Sequence, residues 1–234
     1  MFTFFVFGGY VSSSDDLLRD DLIISIKNSI REYSEIISKD KELAVIKTFI
    51  ETGDFVKWKE GAELGIPEGE VLLSVCYFYG IHVPKSYEDS ENWCRKAAEQ
   101  NNADGERLLG WCYFNGFGVS KDQTKAVDWF HKAAMQNHSG AQYDLAKCYA
   151  CGHGVDENNA EYVKWLRTSA ERGYAKAQFE LGICYEYGFD TPQNKTTALV
   201  WYRKAAEQGH GDAQKNVISL TDKTHKIPLR RSRR

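Results

Sequence analysis

Six cysteines and six histidines are the residues of this 234-residue chain most able to do chemistry, through metal binding, thiol redox exchange or proton transfer. Cys148-Tyr149-Ala150-Cys151, followed closely by His153, has the Cys-x-x-Cys spacing of redox and zinc sites. A closed zinc site needs four ligands, and the sequence offers no second ligand pair at a matching spacing. A thiolate at a helix C-terminus is also disfavoured by the dipole. His82, His131, His138, His153, His210 and His225 are scattered, with no His-x-x-x-His pair on one helix face and no matching carboxylate cluster. No serine stands in a nucleophile elbow, and no glycine cluster follows a strand to cradle a phosphate. These residues call for no catalytic set, no metal and no cofactor, so an enzyme is the weakest reading.

The cysteines have another explanation, which is repetition. Cys76-Tyr77, Cys112-Tyr113, Cys148-Tyr149 and Cys184-Tyr185 recur at a step of 36 residues, as do Trp93, Trp129, Trp165 and Trp201. Gly80, Gly116, Gly152 and Gly188 keep the same step, and so do Ala98, Ala134, Ala170 and Ala206. A period of this size without insertions marks stacked supersecondary units. In one unit, residues 103–119 read as a helix stopped by glycines, which enter the left-handed conformation that ends helices. A second helix starts near Asp122 and carries Ala126, Val127, Trp129, Phe130, Ala133 and Ala134. Each unit is therefore an antiparallel helix pair. Small residues at the 105/141/177/213 and 98/134/170/206 positions let helices approach, while Trp and Tyr fill the spaces between them.

Leu109-Gly110-Trp111-Cys112-Tyr113 with Gly116-Phe117-Gly118-Val119, and Trp201-Tyr202-Arg203-Lys204-Ala205-Ala206-Glu207-Gln208-Gly209-His210, resemble the Sel-1-like repeat family, relatives of the tetratricopeptide repeats. The resemblance implies an all-α, right-handed α/α superhelical solenoid of antiparallel helix pairs with a 36-residue period. It covers four units over about residues 68–211, with a lone first helix at 212–220. Leu145-Ala146, Ser169, Phe189-Asp190 and Ile81-His82 depart from it. Secreted relatives carry paired cysteines in every unit, and this chain lacks that pairing. Equivalent core cysteines in stacked pairs should lie roughly 9–10 Å apart, beyond disulfide reach. Free thiols and a reducing compartment are expected.

Upstream, residues 44–51 and 55–62 flank a Thr52-Gly53-Asp54 turn and read as a degenerate helix pair. Before it, Ser14-Asp15-Asp16 caps a helix with Leu18, Leu22, Ile26, Ile30, Tyr33 and Ile37 at threes and fours. The expected organisation is an apolar arm at 1–13, a helical cap with a degenerate repeat at 14–66, the solenoid at 67–220 and a basic flexible tail at 221–234. The cap covers a hydrophobic end that solenoids otherwise expose. The arm lacks the basic region and cleavage site of a secretory signal. No stretch is long and apolar enough to span a bilayer. Net charge is −3, but the last twelve residues hold six Lys/Arg and no acid, leaving −9 on the first 222. That charge argues against nucleic-acid binding by the body. Cytoplasmic residence is expected, with nuclear targeting through Arg230-Arg231-Ser232-Arg233-Arg234 or export as the alternatives.

At about 100° per residue, Gly105, Leu109, Cys112, Tyr113 and Gly116 share the core stripe of their helix. Arg107, Trp111, Phe114 and Asn115 fall opposite, on the concave side if the solenoid curves as its relatives do. The equivalent positions are Val71, Val75, Phe78 and Tyr79; Tyr143, Lys147, Ala150 and Cys151; Phe179, Ile183, Glu186 and Tyr187. This aromatic strip with a few charges suits a peptide or protein partner. The competing reading packs these aromatics between successive first helices or under the amino-terminal arm. The resemblance implies a non-enzymatic adaptor or scaffold. An immunity or inhibitor protein that blocks one dedicated partner is a second reading. Some secreted relatives have been linked to penicillin binding, but no nucleophile here carries that over. The sequence leaves the oligomeric state undetermined.

Overall fold

A computed structural model describes residues 14–38, 48 and 50–225; the apolar arm at 1–13 and the end of the basic tail at 226–234 lie outside the described residues. The helices are α1 (Ser14–Ser38), α2 (Phe55–Glu63), α3 (Pro67–Tyr79), α4 (Tyr87–Glu99), α5 (Ala103–Asn115), α6 (Gln123–Met135), α7 (Ser139–Cys151), α8 (Asn159–Glu171), α9 (Ala175–Tyr187), α10 (Lys195–Glu207) and α11 (Gly211–His225). From α2 to α11 each helix packs chiefly on the one before and the one after, which makes an all-α solenoid with no strand among the described residues. The long α1 lies against α2 and α3 at one end. There Ile26, Ile50, Trp58, Val71 and Leu72 close a common core.

The 36-residue step is written into the ends of the helices. First helices α3, α5, α7 and α9 stop at Gly80, Gly116, Gly152 and Gly188, all left-handed with φ of 70, 81, 65 and 79°. Second helices begin at Ser86, Asp122, Asn158 and Asn194, whose side chains accept from the backbone N–H three residues on. Between these caps a second left-handed residue turns the loop: His82, Gly118, Gly154 and Asp190, with φ of 64, 72, 75 and 46°. The units that depart from Gly-x-Gly therefore keep its geometry. His82 is further held by a 2.9 Å hydrogen bond to the Ile50 carbonyl and by stacking on Phe55, which ties the first loop to the capping end.

Inside each unit a small residue on the first helix faces the second helix twenty residues later. A Cβ on Gly110 would lie 2.6 Å from the Phe130 ring, and one on Gly182 would lie 2.6 Å from Tyr202. Ala146 stands at the same position in the unit of Leu166, and Ser74 in the unit of Cys94. The Leu-Gly to Leu-Ala departure thus accompanies the loss of a ring.

The repeated tryptophans differ from the expected core aromatics. Trp93, Trp129, Trp165 and Trp201 are half-buried. The Nζ atoms of Lys96, Lys132 and Lys204 sit 3.7, 3.7 and 4.2 Å from the ring centroids of Trp93, Trp129 and Trp201. The buried side chain is the next in sequence: Cys94, Phe130, Leu166 or Tyr202. One residue turns the helix by about 100°, enough to move the large indole to the rim. At the other end, α11 continues through His225, past the boundary expected at 220, and its Leu220 packs in a cluster with Ala198 and Tyr202.

Candidate functional site

Successive first helices are cross-linked on the face opposite their core stripe. From α5, Arg107 Nε and Trp111 Nε1 donate to Asp144 Oδ2 of α7, at 2.6 and 3.0 Å. One repeat on, Tyr143 Oη donates to Glu180 Oε1 of α9 at 2.7 Å and Lys147 Nζ lies 3.4 Å from the same carboxylate, which also accepts from Tyr162 at 3.1 Å. Position 108, the predecessor of Asp144 and Glu180 in the repeat, is Leu108, and it packs against the apolar cluster to which Val71 and Val75 of α3 belong. One geometry is thus apolar at the first junction and polar at the next two. Asp144 and Glu180 are the residues that helix-face reasoning missed. They lie next to the expected strip, and their pairing depends on the offset between neighbouring helices.

Between these junctions lie three depressions at repeat-equivalent places. The first, about 210 Å³, has Val75, Phe78, Tyr79, Arg107, Leu108, Trp111 and Phe117 around it and Ser74, Ser90 and Cys112 beneath. The second, about 390 Å³, is bounded by Trp111, Phe114, Phe130, Tyr143, Asp144 and Lys147, with Cys151, His153 and Lys176 at its edge. The third, about 440 Å³, is bounded by Lys147, Ala150, Tyr162, Phe179, Glu180, Ile183 and Phe189. Arg107 and Trp111 border both the first and second, and Lys147 both the second and third.

The expected strip is therefore brought together, with corrections at individual residues. Val71 and Val75 are buried, because the first junction is apolar; Val75 only underlies the first depression. Arg107, Trp111, Tyr143 and Lys147 face the strip while also bonding the next helix, so they position the site as well as line it. Glu186 accepts from Tyr202 Oη at 2.7 Å, and Asn115 donates to the Trp111 carbonyl. Tyr187 and Phe189 are well exposed, with ring centroids 6.0 Å apart.

Burial favours the protonated form at four of the cysteines. Desolvation raises Cys76 and Cys148 to about 12, and raises Cys94 and Cys184 as well. Cys94 and Cys112 approach to 3.9 Å between sulfurs, a contact between α4 and α5 that the spacing of equivalent cysteines does not predict. Among the described residues no three His, Cys, Asp or Glu side chains are placed to hold a metal ion, and no helix is long and apolar enough to cross a membrane.

A partly buried polar ladder, with buried acceptors, runs along the repeats. Gln100 donates to Glu70 at 2.9 Å, Gln136 to Glu106 at 2.8 Å and Gln208 to Gln178 at 2.7 Å, each across 30 residues. The third unit breaks the series, since Arg172 replaces the glutamine and bonds Asn137 instead. The buried Gln142 Oε1 is left without a partner. Arg172→Gln should restore the donor and stabilise the fold by about 1–2 kcal/mol in urea denaturation, the cost of an unsatisfied buried acceptor. At Glu106, desolvation raises the carboxyl above its ordinary 4.5, against the hydrogen bond from Gln136. The folded state then holds this proton more tightly than the unfolded chain, so the ionised group costs stability as pH rises from 4.5 through the raised value. Glu106→Gln should gain on wild type across that window and remain the more stable at neutral pH, measured as denaturation midpoints against pH.

Two of the histidines also fall into the period. His138 and His210 occupy the positions of Asn102 and Tyr174, and their Nδ1 atoms accept from Ala141 and Ala213 N–H as helix caps. The 36-residue step contained that signal.

The Sel1 repeat family model matches residues 67–102, 103–138, 139–174 and 175–210. Among solved structures, a Sel1 repeat protein from Oxalobacter formigenes is 33% identical over 71% of this chain and 68% of its own, with a TM-score of 0.62. A protective antigen present in uropathogenic Escherichia coli strains and displaying an SLR fold is 29% identical over 86% of this chain, with a TM-score of 0.62. This chain covers 44% of that antigen. No curated protein matches the sequence.

Proposed function

The chain belongs to the Sel1 repeat family, and we propose that it acts as a non-enzymatic adaptor or scaffold, holding a segment of a protein partner along the face of its first helices. The observation that carries this reading is the row of three depressions, equivalent under the repeat, with Arg107 and Trp111 shared by the first two and Lys147 by the last two. An extended segment offers side chains at a regular rise, and a row of repeat-spaced depressions can take them in turn. Sel1 repeat proteins commonly serve protein interaction. Arg107, Asp144, Lys147 and Glu180 are engaged in holding helices together, and burial raises the Cys76, Cys94, Cys148 and Cys184 thiols, both in keeping with recognition rather than catalysis. The acidic body favours a protein over a nucleic acid as partner.

The test is affinity capture from the native host with three baits. Wild type and Val200→Ser, altered at an exposed site on α10, should retain the partner. Phe114→Ala/Tyr187→Ala should lose it while remaining folded at the capture temperature, checked by a thermal melt. A partner retained by all three baits sinks the proposal. A separate measurement addresses the compartment: thiol titration under denaturing, non-reducing conditions should find six free cysteines, and three bridges would point to an oxidising one.

A further inference from the structure

We propose that Cys94 and Cys112 form a reactive dithiol, which a small hydroperoxide closes to a disulfide between α4 and α5. The 36-residue step accounts for Cys112, whose equivalents include Cys76, Cys148 and Cys184, but not for Cys94. At the place of Cys94 the later units carry Phe130, Leu166 and Tyr202. Each of these shares a buried cluster with the residue equivalent to Cys112 on the following first helix: Phe130 with Cys148, Leu166 with Cys184 and Tyr202 with Leu220. A larger side chain thus fills that contact three times, and between α4 and α5 two thiols stand there instead. Their sulfurs lie 3.9 Å apart, in one buried cluster with Ala98 and Leu109. Small residues hold the two helices close beside them. A Cβ on Gly105, two turns before Cys112, would lie 2.6 Å from the Cβ of Ala97, three residues after Cys94. Closing from contact to a bond of about 2.0 Å then takes side-chain rotation with a small adjustment of the helices.

Cys112 is the thiol that an oxidant reaches. It lies beneath the first depression, whose volume is about 210 Å³, where a single water needs only about 10–15 Å³. Hydrogen peroxide, little larger than water, fits there. Cys94 is wholly buried and does not line the depression, and its Sγ donates to the Glu91 carbonyl at 3.2 Å. Burial raises its thiol, and the neighbouring Cys112 raises it further, which suits Cys94 to the second step rather than the first attack. In the first step the Cys112 sulfur gives up its proton and attacks one peroxide oxygen: an S–O bond forms, the O–O bond breaks, and the departing oxygen leaves as water with that proton. In the second the Cys94 sulfur attacks the sulfenic sulfur of Cys112: an S–S bond forms, the S–O bond breaks, and the hydroxyl leaves as a second water with the Cys94 proton. Two thiols are oxidised and one peroxide is reduced. The bond ties the first repeat to the second directly beneath the first depression.

The experiment treats the folded full chain with hydrogen peroxide in a Cys151→Ser background, which removes the exposed thiol. Peptide mapping by mass spectrometry without reduction should recover Cys94 joined to Cys112. Titration of the denatured chain should find two thiols fewer than before treatment, and dithiothreitol should restore them. Adding Cys94→Ala should stop the reaction after its first step, so that a dimedone adduct accumulates on Cys112, whereas the chain that keeps Cys94 escapes it. The mapping needs no substitution in the core, so it decides the matter even if the alanine variant misfolds. A full complement of thiols after peroxide overturns the proposal, as does a bond mapped to any other pair or between two chains. Equal dimedone adducts with and without Cys94 also overturn it, because Cys94 would then take no part in the second step.

Discussion

Phe130→Ala should cost about 3–5 kcal/mol, the range for removing a buried phenylalanine and leaving its cavity. The ring is almost wholly buried on Gly110, which has no side chain to move into the space, and it packs with Leu145 and Cys148 of the next first helix. Trp129→Ala, one residue earlier, removes a larger side chain from a half-buried place under Lys132, and should cost less than half as much. Urea denaturation of the two variants side by side tests the assignment. A larger loss at Trp129 would mean that the repeated tryptophan is the core residue after all. At roughly 3 °C per kcal/mol for a chain of this size, the Phe130 variant should melt about 10 °C or more below wild type.

Gly154→Ala should cost about 3 kcal/mol. Two effects act together: the residue has φ of 75°, where a Cβ is strained by about 1–2 kcal/mol, and that Cβ would lie 2.1 Å from the Gln123 carbonyl oxygen. Backbone at the start of α6 would have to retreat, which adds an overpacking cost of about 1–3 kcal/mol. Gly152→Ala makes a useful comparison. Its φ is 65°, but the nearest atom to a Cβ is 3.6 Å away, so only the conformational part applies. Thermal melts of the two variants separate left-handed strain from the contact between units. Equal losses would mean that the close approach of this loop to the preceding second helix contributes nothing.

How far the sequence could be read depended on whether a feature repeats. Helix count, helix ends and the glycine turns were legible, because each is local chemistry repeated four times: Asp122 caps its helix in the same way as Ser86 and Asn158, and Gly116 ends one as Gly152 does. The left-handed turn at His82 and Asp190 was harder to see, since neither residue is glycine and only the loop they share with Gly118 and Gly154 explains them. The strip of candidate binding residues was legible as a face. What those residues do was not, because Arg107 and Trp111 act through Asp144 on another helix, and Tyr143 and Lys147 through Glu180. Position on one helix cannot report the offset of the next.

The six cysteines and six histidines with which the chain presents itself divide along the same line. By itself the sequence determined that most of the cysteines belong to a repeating core, since a 36-residue step places Cys76, Cys112, Cys148 and Cys184 on one stripe of equivalent helices. It also determined the solenoid, because units that cannot bury their own apolar face must stack. Tertiary structure alone decided that Cys94 meets Cys112, that Phe130 rather than Trp129 fills the unit, and that three depressions line up between the first helices. The physical reason is that periodicity records which way a side chain points around its own axis, whereas burial and contact depend on the distance and offset between axes, which only packing sets.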